Sequence, residues 1–219
     1  MEASAIILAV EDLKKTWTYR STKDVRLLSA KMFRALPDQT KEHVFELSEE
    51  LLRQRDWAMG IVAFDFAYRV RSQYQEADFP RFAEWLLNYV HSWSDCDDFC
   101  THAFGALLCQ YPKLAANVLE WCSHEAFWMR RGAAVVLIPM IQKQLYDRNL
   151  LFAVADQLLV DSHDLVLKGY GWMLKVLSQS EPQPVIDYLA IKKGTMPRIS
   201  FRYAIEKLDP AVKQQLMKR

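Results

Sequence analysis

The sequence predicts an all-helical protein, an α-solenoid of about six HEAT-like helix pairs with a concave face. Three observations favour this class. Apolar residues recur three and four positions apart along almost the whole chain, which is the period of an amphipathic helix. Only six of the 219 residues are glycine and none precedes Gly60, which disfavours turn-rich β architecture. A short pattern of bulky and small residues also returns at the intervals of a helical repeat.

The repeated pattern is a bulky residue followed by small residues that allow two helices to approach closely. Its six starting positions are Val25, Trp57, Phe99, Trp128, Leu165 and Ile199. Successive starts are roughly 30–45 residues apart, which is the length of one two-helix unit. Short proline-containing breaks, as at 36–38, 111–112 and 180–182, predict turns between helices. We therefore expect residues 1–219 to form a single repeat domain.

Charge is unevenly distributed, although the net charge is only +1. Basic residues collect in 14–34 and 192–219, whereas the stretch between them is acidic. Such basic ends favour a few contacts with a polyanion. No apolar run is long enough for a membrane span, and the N-terminal residues lack a secretory signal pattern. We expect a cytoplasmic monomer without a membrane partner.

The sequence offers little for a metal site. The four cysteines are expected to be free thiols in a reducing compartment: Cys96, Cys100, Cys109 and Cys122. Two of them lie near His91 and His102, but no second CxxC or HxxxH motif completes a zinc site. Neither a metal nor a cofactor is expected.

The segment 91–98 is the densest polar and aromatic part of the chain. Trp93 and Asp97 are four residues apart and would share one face of a helix that begins early enough. An alternative is that Ser94 is the N-cap of this helix and Asp97 its capping-box partner, with a purely structural role.

Three motifs follow one another along the chain: the WxxxD motif Trp93–Asp97, the segment 127–134 (FWMRRGAA) and the segment 168–174 (KGYGWML). In this order they resemble the AlkD family of HEAT-like-repeat DNA glycosylases. The resemblance extends over about residues 25–210. It implies that Asp97 is the catalytic carboxylate. It further implies a nucleic-acid-binding set formed by Trp93, Arg131, Trp172, Arg130, Lys168 and Arg202.

The implied chemistry is the release of a cationic N3- or N7-alkylated purine from duplex DNA. Such a base is already a good leaving group, so the site has to stabilise the oxocarbenium-like sugar left behind. A carboxylate such as Asp97 does this electrostatically and can orient a water molecule. The indole faces of Trp93 and Trp172 suit a cationic nucleotide through cation–π attraction.

The chain departs from the family pattern in two places. Ser92 stands where the family has the first of two tandem tryptophans, and no Gly-[Ile/Val]-x-x-Pro turn precedes the first repeat. These departures, with the acidic middle, predict a divergent member that binds duplex DNA weakly and salt-dependently and excises alkylpurines poorly or not at all. The alternatives are an active alkylpurine DNA glycosylase and a protein-binding helical scaffold.

Overall fold

The computed structural model describes residues 2–17, 19 and 21–218, and within these residues it contains no β-strand. The chain divides into two compact units, residues 1–107 and 108–219. The helices that begin in the N-terminal unit are α1 Ala3–Lys15, α2 Thr22–Arg34, α3 Lys41–Leu52, α4 Trp57–Arg69, α5 Phe79–Tyr89, α6 Trp93–Phe99 and α7 Gly105–Gln110. Those of the C-terminal unit are α8 Val118–Trp121, α9 Phe127–Val135, α10 Ile138–Gln142, α11 Arg148–Gln157, α12 Asp164–Ser180, α13 Pro182–Lys192, α14 Arg198–Ala204 and α15 Pro210–Met217.

The all-helical class and the pairing of helices are confirmed. All six repeat starts, from Val25 to Ile199, fall in the second helix of a pair: α2, α4, α6, α9, α12 and α14. Proline marks the starts of several helices, since Pro182 opens α13 and Pro210 opens α15. Proline is tolerated in a first helical turn because the amide that it lacks has no partner there in any helix. None of the described helices is both long and apolar enough to cross a membrane.

The N-terminal unit has a core of aromatic rings in face-to-face and edge-to-face contact. Phe82 lies 5.2 Å from Trp85 and 5.5 Å from Phe99, measured between ring centroids. Phe64 of α4 stacks on Phe99 of α6 at 4.4 Å. All four side chains are buried. Because Phe99 belongs to α6, this core fixes the orientation of the helix that carries Trp93 and Asp97.

In the C-terminal unit α12 is the central helix, and it packs against α9, α11, α13 and α14. Glycine allows its closest approach. A Cβ at Gly171 would lie 2.8 Å from Cβ of Tyr203 and 2.9 Å from the carbonyl oxygen of Ser200. A Cβ at Gly169 would lie 3.3 Å from Cγ of Arg131. The small residues of the repeat pattern therefore do bring helices together, as the sequence predicts.

We expect the substitution Gly171→Ala to lower the free energy of unfolding. The new methyl group would overlap backbone and side-chain atoms of α14, and overpacking of this kind costs about 1–3 kcal/mol. The higher helix propensity of alanine offsets at most about 1 kcal/mol of that cost. Urea unfolding followed by circular dichroism measures the difference.

Gly60→Ala is the matched control, since Gly60 also lies in a helix but its Cβ would meet nothing closer than 4.0 Å. This variant should be as stable as the parent or more stable. Equal stabilities of the two alanine variants would show that α12 and α14 separate readily, and would contradict the tight packing.

Candidate nucleic-acid interface

Helix α6 begins at Trp93, and its N-cap is Ser92. The Ser92 hydroxyl accepts a hydrogen bond from the amide of Asp95 at 3.2 Å. Asp95 Oδ2 in turn accepts from the amide of His91 at 3.3 Å. The structural alternative based on Ser94 and Asp97 is therefore wrong, because the helix starts two residues earlier than it requires. Asp97 does not form the capping box.

Trp93 and Asp97 are consequently both helical and one turn apart, as the catalytic hypothesis requires. Trp93 is among the most exposed large side chains of the described residues, with 59% of its surface accessible. Asp97 is half-buried. An indole exposed to this extent is available to a ligand, whereas the core of α6 is formed by Cys96 and Phe99.

A π-helical turn, Cys100–Phe104, follows α6 directly. The hydroxyl of Thr101 donates a hydrogen bond to the carbonyl oxygen of Asp97 at 2.6 Å. Single π-turns inside helices occur frequently at functional sites, because the extra residue rotates the preceding turn relative to the following one. Here the irregular turn is anchored on the backbone of Asp97 itself. The three- and four-residue spacing of apolar side chains does not predict this π-helical turn.

Asp98 differs from its two acidic neighbours because it is paired in the interior of the N-terminal unit. Its carboxylate accepts a hydrogen bond from Arg26 of α2, and Nδ1 of His102 lies 3.6 Å away. Burial raises the pKa of Asp98 above its ordinary value, although Arg26 and His102 act in the opposite direction. Asp98 thus links α2 to α6 and is not a solvated acid beside the site.

Trp93 lies on the wall of a cavity of about 690 Å³ within the N-terminal unit. Its aromatic wall is formed by Trp17, Trp57, Tyr89 and Trp93. Trp17 and Trp57 meet edge to face with ring centroids 6.0 Å apart. Asp97 is not among the described residues that line this cavity, which instead contains Asp95. Indole and phenol rings stack on planar ligand groups and pack against apolar ones, so the cavity suits either kind of group.

Two charged residues of the cavity wall, one on α1 and one at the start of α4, form an ion pair. Lys14 Nζ lies 2.8 Å from Asp56 Oδ2, and the side chain of Asp56 caps α4 by accepting from the amides of Ala58 and Met59. Burial acts to raise the pKa of Asp56, but the hydrogen bonds from Lys14 and the two amides outweigh it and lower the pKa. The pair is therefore ionised at neutral pH and holds α1 against the start of α4.

We expect the Lys14–Asp56 pair to stabilise the fold only where both groups are charged. Asp56→Asn keeps the cap but removes the charge, so it isolates the ion pair. Because the folded-state pKa of Asp56 is lowered, its contribution is present above about pH 4 and lost as pH falls through the folded value. Urea unfolding at neutral pH should show a loss of about 0.5–1 kcal/mol, as for a partly exposed pair.

The corresponding control is Asp12→Asn, which removes the exposed pair between Lys15 and Asp12. Its unfolding curve should match that of the parent at every pH. If Asp56→Asn loses as much stability at pH 3 as at pH 7, the cause is the cap and not the charge pair.

In the C-terminal unit, Arg131 of α9 is only 4% exposed. Its Nη1 donates a hydrogen bond to the carbonyl oxygen of Leu165 in the first turn of α12, and its side chain lies against Gly169. The guanidinium therefore joins α9 to α12. Its role as a phosphate ligand stays a prediction, and the surface available for that role is small.

Arg130 lies at the start of the same helix and forms a fork with Asp161. Nε is 2.6 Å from Oδ2 and Nη2 is 3.3 Å from Oδ1. Nη1 donates to the carbonyl oxygens of His124 and Glu125, at 2.7 and 2.8 Å. The two side chains are only 16% and 7% exposed. Arg130 thus ties the loop before α9 to the loop before α12, and each of its three nitrogen atoms already has a protein acceptor.

Lys168, Trp172 and Lys175 share one face of α12, since they follow at spacings of four and three residues. All three are half-buried. Lys175 pairs with Glu206 at 3.1 Å and lies 5.5 Å from the ring of Tyr203. This face alternates cationic and aromatic side chains, which is the combination that contacts a nucleic-acid backbone. The roles of Lys168 and Trp172 stay predictions, and Lys175, which sequence reasoning did not name, is already paired with Glu206.

Arg202, the last member of the predicted set, is exposed on α14. It does not share the face of Lys168 and Trp172 but lines a separate cavity of about 720 Å³ near the end of the chain.

The cysteines and histidines of segment 91–102 have separate environments. Cys96 and Cys100 are buried, with their Sγ atoms 4.0 Å apart. The ring of His102 packs edge to face on Tyr68 at 5.7 Å, and His91 is exposed beside Arg55. The described residues contain no group of three or more side chains arranged to hold a metal ion.

The structure therefore places the predicted site residues in two groups. Trp93 and Asp97 lie together on α6, whereas the other five lie in the C-terminal unit on α9, α12 and α14. Convergence of both groups on one ligand stays a prediction. Sequence reasoning missed the aromatic wall formed by Trp17, Trp57 and Tyr89, although Trp57 begins one of the repeats. No local motif marks such a wall, because its members come from three separate segments.

Comparison with known proteins gives a consistent result. The family model described as DNA alkylation repair enzyme matches residues 20–208. A solved structure described as a predicted DNA alkylation repair enzyme from Enterococcus faecalis is similar in fold, with a TM-score of 0.75 and 18% sequence identity over 87% of each chain. No curated protein matches the chain significantly. Because the family model spans most of the sequence, the chain belongs to the DNA alkylation repair family.

Proposed function

We propose that this protein is a divergent DNA alkylation-repair protein that binds duplex DNA weakly and excises alkylpurines slowly or not at all. In this proposal it acts as a cytoplasmic monomer. The observation that carries the proposal is the state of the cations near Trp93 and Asp97. Lys14 pairs with Asp56 and Arg26 pairs with Asp98, so each would have to leave a carboxylate to bind a phosphate. Arg55 on the cavity wall contacts the carbonyl oxygen of Asn88 and the ring of His91 instead of a carboxylate, which leaves one cation for a phosphate.

Affinity for duplex DNA comes mainly from cations that replace condensed counterions on the phosphates. A cation already paired with a carboxylate has to break that pair first, and therefore contributes little. The same pairing recurs elsewhere in the N-terminal unit, where Arg69 pairs with Asp65 and Arg81 with Glu49. Because these cations are already paired within the protein, we expect duplex DNA to bind more weakly than it binds to an efficient repair enzyme.

The catalytic part of the proposal rests on α6. Asp97 is half-buried one turn after the exposed indole of Trp93, so a cationic nucleotide held by Trp93 would have a carboxylate beside its sugar. In this proposal Asp97 stabilises the positive charge that develops on the sugar, and Trp172 and Lys168 contact the backbone of the same nucleotide. Arg131 and Arg130 support the helices that carry these groups, with Arg131 as the better candidate for a direct phosphate contact.

A second candidate function, an active alkylpurine DNA glycosylase, is favoured by one specific observation. The WxxxD pair is held at helical spacing by a cap and an aromatic core, so the geometry of the carboxylate is defined before any ligand binds. Preorganised charge of this kind is the largest single contribution in many enzymes.

Release of 7-methylguanine from a methylated duplex distinguishes the two functions. The protein should be assayed in excess over DNA beside an active relative, so that weak binding does not mask the chemical step. We expect release well below that of the relative and at most slightly above the spontaneous rate. A rate equal to that of the relative would establish the glycosylase instead.

A further inference from the structure

The open cavity of about 720 Å³ in the C-terminal unit differs from the rest of that unit in its charge. Its wall carries four cations: Lys193, Arg198, Arg202 and Lys218. Among the described residues that line it there is no aspartate or glutamate. Phe201 and Met196 add an apolar surface between the charged groups. Four like charges around one space, with no carboxylate among its described lining residues, produce a positive potential that attracts an anion.

The two arginines show this imbalance most clearly. Arg198 and Arg202 are four residues apart on α14, so they lie on one face of the helix and repel each other. Within the described part of the chain neither side chain forms an ion pair or a hydrogen bond, and both are exposed. Lys193 has only a long contact, 3.4 Å, to the carbonyl oxygen of Lys218.

Two other cations of the same unit, both outside the cavity, are paired with carboxylates. Lys175 pairs with Glu206 at 3.1 Å, and Lys192 pairs with Asp156 at 2.7 Å. Lys192 is the immediate neighbour of Lys193, yet only Lys193 faces the cavity. The cavity thus collects cations that have no carboxylate partner among the described residues, whereas the neighbouring Lys192 has one.

We propose that this cavity is a phosphate-binding site for the backbone of a nucleic-acid strand, separate from the surface that carries Trp93 and Asp97. The proposal deepens the proposed function, since it rests on DNA as the ligand. Guanidinium groups bind phosphate oxygens through paired hydrogen bonds, which suits the adjacent arginines of α14.

The number of charges favours a strand over a single small anion. One phosphate group carries at most about two negative charges, whereas four cations line the cavity. Successive phosphodiesters of a strand would supply several separate charges to one site. Phe201 offers a ring face for a sugar or base beside them.

The test compares two double variants of the full chain that remove the same charge. Arg198→Gln with Arg202→Gln empties the cavity of its arginines, whereas Lys207→Gln with Lys213→Gln removes two cations that do not line it. Binding of a fluorescein-labelled duplex is measured by anisotropy at several salt concentrations. The arginine variant should bind about tenfold more weakly, and the slope of log affinity against log salt should fall by about one to two. The lysine variant should resemble the parent, and both should unfold at the parental temperature.

Three further outcomes separate the possible errors. If the parent binds DNA but the arginine variant binds equally well, or if both variants weaken it equally, the cavity assignment is overturned while the proposed function stands. If the parent binds no duplex at low salt, the proposed function fails as well. Inorganic phosphate at matched ionic strength should displace the duplex no better than chloride. Specific displacement by phosphate, or arginine-dependent binding to anionic lipid vesicles without DNA binding, would replace the nucleic-acid strand with another ligand.

Discussion

Replacing Asp97 with asparagine should bring any release of 7-methylguanine above the spontaneous rate down to that rate, because the enzyme-dependent step should slow by about a hundred- to a thousandfold. Asparagine keeps the shape of the side chain but removes the charge that stabilises an oxocarbenium-like sugar. Loss of such a stabilising group costs about 3–4 kcal/mol in the transition state. The measurement is single-turnover release at saturating protein, with the spontaneous rate subtracted. DNA affinity should change little or rise slightly, since a negative charge near the backbone is removed.

Asp95→Asn is the comparison variant, because Asp95 lies on the same helix at similar burial, accepts from the amide of His91 and is the carboxylate that lines the aromatic cavity. Asp98 cannot serve as a control, since its pairing with Arg26 makes the same substitution a change to the interior. If Asp97→Asn and Asp95→Asn release the base at equal rates above background, Asp97 is not the catalytic carboxylate. Grafting the N-terminal helix and turn of an active relative ahead of Val25 should raise both DNA affinity and release.

The second large effect is expected at Arg130. Arg130→Met should lower the free energy of unfolding by about 3–5 kcal/mol, because it leaves the carboxylate of Asp161 buried without its partner. The same change also removes the two hydrogen bonds to the loop before α9. Urea denaturation at neutral pH provides the measurement.

A double variant tests the physical cause of this loss. Arg130→Met combined with Asp161→Asn removes both charges together, and it should regain a large part of the stability. The amide of His163, which donates to Asp161 at 2.8 Å, keeps an acceptor in this variant. If Arg130→Met is instead as stable as the parent and only weakens DNA binding, Arg130 acts on phosphate, as the sequence resemblance implies.

The repeats and the WxxxD motif could be predicted from the sequence alone. Helical periodicity and the spacing of small residues depend on local steric rules, so the positions of Gly171 and of the six repeat starts were sufficient to identify helix pairs. That Trp93 and Asp97 share one helix face also follows from their spacing of four residues, whereas the roles predicted for them rest on the resemblance to the AlkD family. The N-cap of the structural alternative was wrong by two residues, since Ser92 and not Ser94 caps the helix.

The state of each charged side chain depended on tertiary structure. Arg130, Arg131 and Arg202 look alike in a sequence, but the first is paired with Asp161, the second is buried against α12 and the third faces an open cavity. These differences arise because the partner of each of the first two arginines comes from the next repeat, about thirty residues along the chain. Asp161 gives Arg130 a carboxylate, whereas Leu165 gives Arg131 a carbonyl oxygen. A carboxylate in the next repeat neutralises a cation only when the helix pairs stack in register, and spacing along the chain does not specify which pairs meet.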